Sequence, residues 1–168
     1  LKKLSANSLK YAVLGENDTE QASTILKEVG FTILDNSYDL IYQGDDSILL
    51  MGLNSDKENL DSLLAYYNTE TKNDNIYSIL MMHKPDSIDA VLARHSVDIA
   101  FAGHSHLGEV RLPLIGTIIT REGAKKYKDG YYDINNTKFF ISSGVGINVY
   151  DFRFFDRPSI DLIRLNSN

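Results

Sequence analysis

The chain has four histidines, and three of them stand just past an apolar run. His83 follows Ile76–Met82, and His104 and His106 follow Val97–Ala102. The cluster Glu16-Asn17-Asp18 follows Tyr11–Leu14 in the same way. Imidazole nitrogens with carboxylate oxygens beside them are common ligands for divalent ions such as zinc, iron and manganese. Gly103 and Gly108 frame His104-Ser105-His106, so the backbone can turn sharply there. Two histidines at that spacing can face one ion together or two neighbouring ions. A pair of ions stabilises both the attacking and the leaving oxygen of a phosphoryl transfer. A single histidine at a strand end is more often a hydrogen-bonding loop residue, so the weight rests on three strand ends converging. His95 differs. It follows Arg94, at helical spacing from Val91, and reads as a helix C-terminal residue, where a cation is favoured.

The elements that must position these residues are legible as apolar runs and their breaks. Tyr11–Leu14 stops at Gly15 and reads as a buried strand. Asp18 is the expected N-cap of a helix over 19–29, with Gln21 as its capping-box partner and Gly30 as its C′ residue. Extended segments are expected at 31–34, 38–43 and 47–53, separated by Asp35-Asn36-Ser37 and Gly44-Asp45-Asp46. A second amphipathic helix is expected over 56–67 and a polar loop over 69–75. Ile76–Met82 has no alternation, which suits a strand covered on both faces of a parallel sheet. Pro85-Asp86 opens a helix, and Val97–Ala102 closes a strand–helix–strand unit. Strands at 116–120, 130–134, 138–142 and 159–165 complete the reading. Ligands of open α/β sheets bind beyond the carboxyl ends of the strands, so the histidines and carboxylates share one edge.

Composition bounds the function. With 168 residues, 43% hydrophobic and 24% charged, the chain suits one globular domain. Folding at this length buries roughly 70% of the unfolded surface. The absence of cysteine excludes disulfide scaffolds, thiolate metal sites and thiol nucleophiles. A net charge of −6 argues against a nucleic-acid-binding surface. No apolar run approaches the ~20 residues of a membrane span. The chain starts at Leu1 rather than Met and opens on Lys2-Lys3, which reads as the continuation of something longer.

The stretch Gly103-His104-Ser105-His106-Leu107-Gly108-Glu109 resembles the Gly-His-Thr-His-Gly-Gly-Gln motif of calcineurin-like metallophosphoesterases, most nearly their bacterial YkuE-type branch. His83 in Met82-His83-Lys84-Pro85-Asp86 matches the family's single histidine before Pro-Asp. Leu14-Gly15-Glu16-Asn17-Asp18 sits where the family has Leu-Gly-Asn-His-Asp. The tail from Ser143-Gly144-Val145-Gly146 through Arg153-Phe154-Phe155 to Leu165 is similar to the family's closing strands.

The resemblance implies an α/β fold: a metallophosphoesterase-like β-sandwich flanked by helices, with a dinuclear metal centre between its loops. It also implies hydrolysis of phosphomonoesters or phosphodiesters by a metal-activated hydroxide. By position, His83 and His104 would ligate one ion and His106 the other. Glu16 stands at the family's asparagine ligand. Asn17 stands at the histidine that serves the leaving group or phosphate, and Asp18 at the aspartate that orients it. The family's Asp-x-His and Gly-Asp-x-x-Asp motifs have no counterpart before Tyr11. Residues 1–168 are therefore expected to be a single domain, the C-terminal portion of a phosphoesterase domain truncated at its N-terminus. Such a fragment is expected to hold at most one divalent ion (Mn, Fe, Zn or Mg) and to have little or no activity alone. Asn17 cannot titrate near neutral pH, which raises the alternative of a catalytically inactive binding or regulatory module.

Other residues carry weaker readings. Lys125-Lys126-Tyr127-Lys128 could attract an anion but reads better as a solvated loop, and Arg111 and Arg121 as surface or structural residues. Gly144 and Gly146 suit either a tight turn or a close ligand approach. Tyr150, Phe152, Phe154 and Phe155 read as packing, or as exposed apolar surface through which the chain self-associates. The expected partner is a phosphate-ester substrate, and the expected location is cytoplasmic or peripheral to a membrane.

Overall fold

A computed structural model of the chain describes residues 9–54, 61, 63, 65, 76–105, 111–112, 116–117, 122–128, 130–145 and 158–166. The fold is mixed α/β. Its spine is a six-stranded sheet built from β3 (Ser37–Gln43), β4 (Asp46–Leu53), β5 (Tyr77–Met82), β6 (Ile99–Ala102), β9 (Gly130–Ile134) and β10 (Thr137–Ile141). The strand order is β3-β4-β5-β6-β10-β9. The four central strands β4, β5, β6 and β10 run parallel, and each outer strand pairs antiparallel with its neighbour. All four central strands therefore end on the same edge.

Two tight hairpins close the outer strands. Asn135 and Asn136 join β9 to β10 with φ 51° and 69°, the paired positive angles of a I′ turn, which matches strand twist. Gly44-Asp45 joins β3 to β4, with Gln43 opposite Asp46. Between β5 and β6 the chain crosses over through a short 3-10 turn, Pro85–Ser87, and α2 (Ile88–Leu92). Proline suits this start, since its missing N–H is one that a helix's first turn leaves unpaired anyway.

A separate parallel pair, β1 (Tyr11–Ala12) and β2 (Thr32–Ile33), flanks α1 (Glu20–Glu28). The Tyr11 hydroxyl donates to Asp39 Oδ2 at 2.6 Å, tying β1 to β3. Burial, with Asp39 beside it, pushes the Tyr11 phenol up to about 12. Two further short strands, β7 (Arg111–Leu112) and β8 (Gly116–Thr117), pair antiparallel.

The core lies where the sheet meets α2 and the helical residue Leu63. It comprises Leu49, Met51, Leu80, Met82, Ile88, Val91, Val97 and Phe139, with Tyr127 packed among them. Tyr127 meets Phe139 edge-on, with ring centroids 5.6 Å apart, a favoured aromatic geometry. In β5, Ser78, Leu80 and Met82 are buried while their neighbours are half-buried. One face is thus sealed and the other only partly covered among the described residues, less than the unbroken apolar run implied.

Several expectations need correction. The N-cap of α1 is Thr19, whose Oγ1 accepts from Ala22 N at 3.4 Å, while the Asp18 carboxylate is used elsewhere. Residues 159–165 form no strand: they pair with no strand among the described residues, and Ile160 and Leu162 are exposed. The segment is tethered near its start, where Ser159 N donates to Gly144 O and its hydroxyl meets Ser143 Oγ. His95 is not a favoured cation, because burial and then the neighbouring Arg94 push it down. Of the helix read over 56–67, only Asp61, Leu63 and Ala65 are described, and they are helical. His106, Arg121, Gly146, Tyr150, Phe152, Phe154 and Phe155 lie outside the described residues.

Candidate metal centre

Three segments meet beyond the carboxyl ends of β5 and β6. The first is the turn after β1. Asp18 N donates to Gly15 O at 3.1 Å, and Gly15 N donates to Asp18 Oδ2 at 2.8 Å. This closed turn projects Glu16 and Asn17 outward. Gly15 lies flat on the His83 ring: a Cβ there would come within 2.4 Å of Cε1 and 2.6 Å of Nε2. Only glycine permits that approach.

The second segment is His83, the first residue after β5, and the third is Gly103-His104 after β6. His104 adopts φ 62°, the left-handed region that non-glycine residues enter at a cost. The two imidazoles lie with centroids 4.4 Å apart and tilted by 55°. Glu16 reaches both: Oε2 is 3.1 Å from His83 Nε2, and Oε1 is 3.8 Å from His104 Nδ1. The ligand atoms of Glu16, His83 and His104 all lie within 4.8 Å of one another.

One hydrogen bond fixes the chemistry of His104. Its Nε2 is 2.8 Å from the carbonyl oxygen of Glu122. A carbonyl only accepts, so Nε2 carries the proton, and in the neutral ring the Nδ1 lone pair faces Glu16. Ligating histidines are commonly held this way, with the second ring nitrogen donating to a carbonyl or carboxylate.

The electrostatics fit the same role. Burial pushes His83 down, His104 and Lys84 add to this, and Glu16 and Asp18 oppose it. Burial pushes Glu16 up, but its own backbone N–H and the nearby His83, His104 and Lys84 outweigh this and hold it below the usual carboxylate range. One carboxylate and two imidazoles suit a divalent cation. Lys84 Nζ, 3.7 Å from Glu16 Oε2, balances part of the negative charge. The His104 side chain is 7% exposed and that of Glu16 34%, so the group opens to solvent on the Glu16 side.

Of the residues named from sequence, Glu16, His83 and His104 come together. Asn17 sits in the exposed turn, and the Asp18 carboxylate bonds the Gly15 backbone. His106 lies outside the described residues. Sequence reasoning missed Gly15 as the seat of His83, Lys84 beside Glu16, and Glu122 behind His104. The Lys125–Lys128 segment is more than a solvated loop: Lys126 Nζ is paired with Asp89 at 2.7 Å, and the backbone of 125–127 is bonded to Asp86.

Comparison with known proteins adds the following. No family model matches the chain. It is 29% identical over 177 residues to the uncharacterized metallophosphoesterase YkuE of Bacillus subtilis, covering 99% of this chain and 59% of that protein. It is 29% identical over 91 residues to the phosphodiesterase YaeI of Escherichia coli, covering 54% of this chain and 33% of YaeI. An uncharacterized metallophosphoesterase of Helicobacter pylori is 30% identical over 95 residues, 56% of this chain and 25% of that protein. The sulfate thiohydrolase SoxB of Thermus thermophilus superposes with a TM-score of 0.48 at 14% identity, over 79% of this chain and 27% of SoxB. The chain thus spans between a quarter and three fifths of the length of these three curated relatives.

Proposed function

The chain belongs to the metallophosphoesterase superfamily, and on that premise we propose that it carries part of the site of a divalent-metal-dependent phosphohydrolase. Glu16, His83 and His104 are the ligands in this reading; His106, which the resemblance assigns to a second ion, lies outside the described residues. The substrate class is a phosphomonoester or phosphodiester. We read the chain as part of one phosphoesterase domain, which its coverage of 59% of YkuE supports. The observation that carries the proposal is the convergence of one carboxylate and two imidazoles from three separate strand ends within 4.8 Å.

A bound divalent ion supplies Lewis-acid polarisation of a phosphoryl oxygen and a lowered pKa for water. The chain's own residues do the rest. Gly15 and Asp18 hold the turn that presents Glu16. Glu122 holds the proton of His104 on Nε2, away from the centre. Lys84 offsets the charge that Glu16 adds relative to the family's neutral asparagine. Asn17 can donate a hydrogen bond to a phosphate oxygen but cannot give a proton to a leaving group. That last point favours a second reading, a phosphate-binding module without turnover.

The test is hydrolysis of aryl phosphomonoesters and phosphodiesters by the full-length protein with added manganese. The proposal expects metal-dependent turnover that falls at least ~100-fold in His104→Ala. Turnover indifferent to His104→Ala overturns the site. Manganese binding without turnover selects the module.

A further inference from the structure

We propose that Asp86 is a positioning residue for this centre: it shapes the loop that brings the Glu122 carbonyl to Nε2 of His104. The proposal rests on reading Glu16, His83 and His104 as a metal centre, but its geometry stands apart from that reading. Asp86 holds both ends of a short loop. Its backbone N–H donates to Gly123 O at 2.8 Å. Its carboxylate accepts from three successive backbone N–H groups: Lys125 at 2.8 Å, Lys126 at 3.1 Å and Tyr127 at 3.0 Å. An ionised carboxylate bonded to consecutive N–H groups makes strong, charge-assisted bonds with little freedom left in the loop.

The held loop then acts on both histidines. At its near end, Glu122 O meets His104 Nε2 at 2.8 Å. The next residue, Gly123, has φ 82° and presses on Lys84, the neighbour of His83: a Cβ there would lie 2.8 Å from Lys84 Cδ. Any other residue would push the loop off this seat. Asp86 thus links the residue after β5 to the residue after β6 through one piece of backbone, 39 to 41 positions away in sequence.

Asp89 offers an internal control. It also grips this loop, but at side chains: Lys126 Nζ at 2.7 Å and the Tyr127 hydroxyl at 2.8 Å. Losing that grip leaves the backbone bonds to Asp86 and the Glu122 carbonyl in place.

The experiment is NMR of the full-length, metal-free protein labelled with 15N-histidine, alongside manganese titration. The readout is the imidazole Nε2–H signal of His104, assigned by its absence in His104→Ala. Wild type and Asp89→Ala are expected to show a signal protected from solvent exchange. Asp86→Ala is expected to lose it and to bind manganese ~10-fold more weakly. A protected signal and unchanged affinity in Asp86→Ala overturn the proposal, as does equal damage from Asp89→Ala. Should the alanine variant not fold, Asp86→Asn keeps one acceptor oxygen and is expected to weaken the protection; full protection there overturns the proposal. A wild type that binds no manganese fails the metal reading alone, and the N–H signal still decides the role of Asp86.

Discussion

The two ends of β5 and β6 use polar groups in opposite ways. At the amino ends they satisfy one another. Ser78 donates through both its backbone N–H and its hydroxyl to Asp98 Oδ2 at 2.7 Å, and the Ser78 hydroxyl accepts in turn from Asp98 N at 3.0 Å. Beside them, the fully buried Thr137 hydroxyl donates to Val97 O at 2.6 Å. At the carboxyl ends, His83, His104 and Glu16 are aimed at a common point from separate segments, with a left-handed backbone at His104. One end closes its hydrogen bonds and stabilises the fold. The other gathers like-natured ligand atoms and accepts strain, the pattern expected of a functional site.

That contrast can be broken by substitution. The largest effect is expected from His104→Gly. Manganese affinity in the full-length protein should fall at least ~100-fold. Stability should change by no more than ~2 kcal/mol: relieving the left-handed backbone returns about 1–2 kcal/mol, against about 1 for the lost Glu122 bond, 0.5–1 for glycine's entropy and roughly 1 for the lost burial of the ring. A large loss in melting temperature would mean the strained end also stabilises the fold. Next, Thr137→Val or Ser78→Ala should cost about 1–3 kcal/mol in urea unfolding by leaving buried groups unpaired, with manganese affinity unchanged. Then Gly15→Ala, which drives a methyl into the His83 ring, should weaken manganese binding by ~10-fold, or about 1.4 kcal/mol.

The smallest effect concerns Asp89. Burial pushes its carboxyl up, but hydrogen bonds from Lys126 and Tyr127 outweigh this and bring it below 3.8. A carboxyl lowered on folding stabilises above its unfolded pKa, and that contribution is lost as pH falls through the lower folded value. Wild type should therefore lose more stability than Asp89→Asn on going from pH 5 to pH 2, by a few tenths of a kcal/mol given the exposure of the pair. Parallel acid melts of the two proteins would show it.

Much of this was legible in the sequence, for stated reasons. Apolar runs ending in His83 and His104 place imidazoles at strand ends because buried parallel strands leave little else to interpret. Glu16 was legible by its position after a third run. What stayed hidden depends on long-range contact. Asp18 and Thr19 are both good caps, and the choice between them is made by Gly15, whose N–H claims Asp18. The segment 159–165 is rich in Ile and Leu without a helical period, but such composition alone does not supply a strand to pair with. Asp86 reads as a helix-opening acid from its neighbours; only the fold brings Lys125, Lys126 and Tyr127 to it. Gly15 reads as a strand stop, and nothing local to it announces the His83 ring.

The central claim is that Glu16, His83 and His104 hold a divalent ion together. Calorimetric titration of manganese into the full-length protein, its His83→Ala form and its His104→Gly form tests this most directly. The account predicts that wild type binds, that His104→Gly loses an equivalent or weakens at least ~100-fold, and that His83→Ala loses an equivalent or weakens at least ~10-fold. Equal stoichiometry and affinity in all three proteins would contradict it.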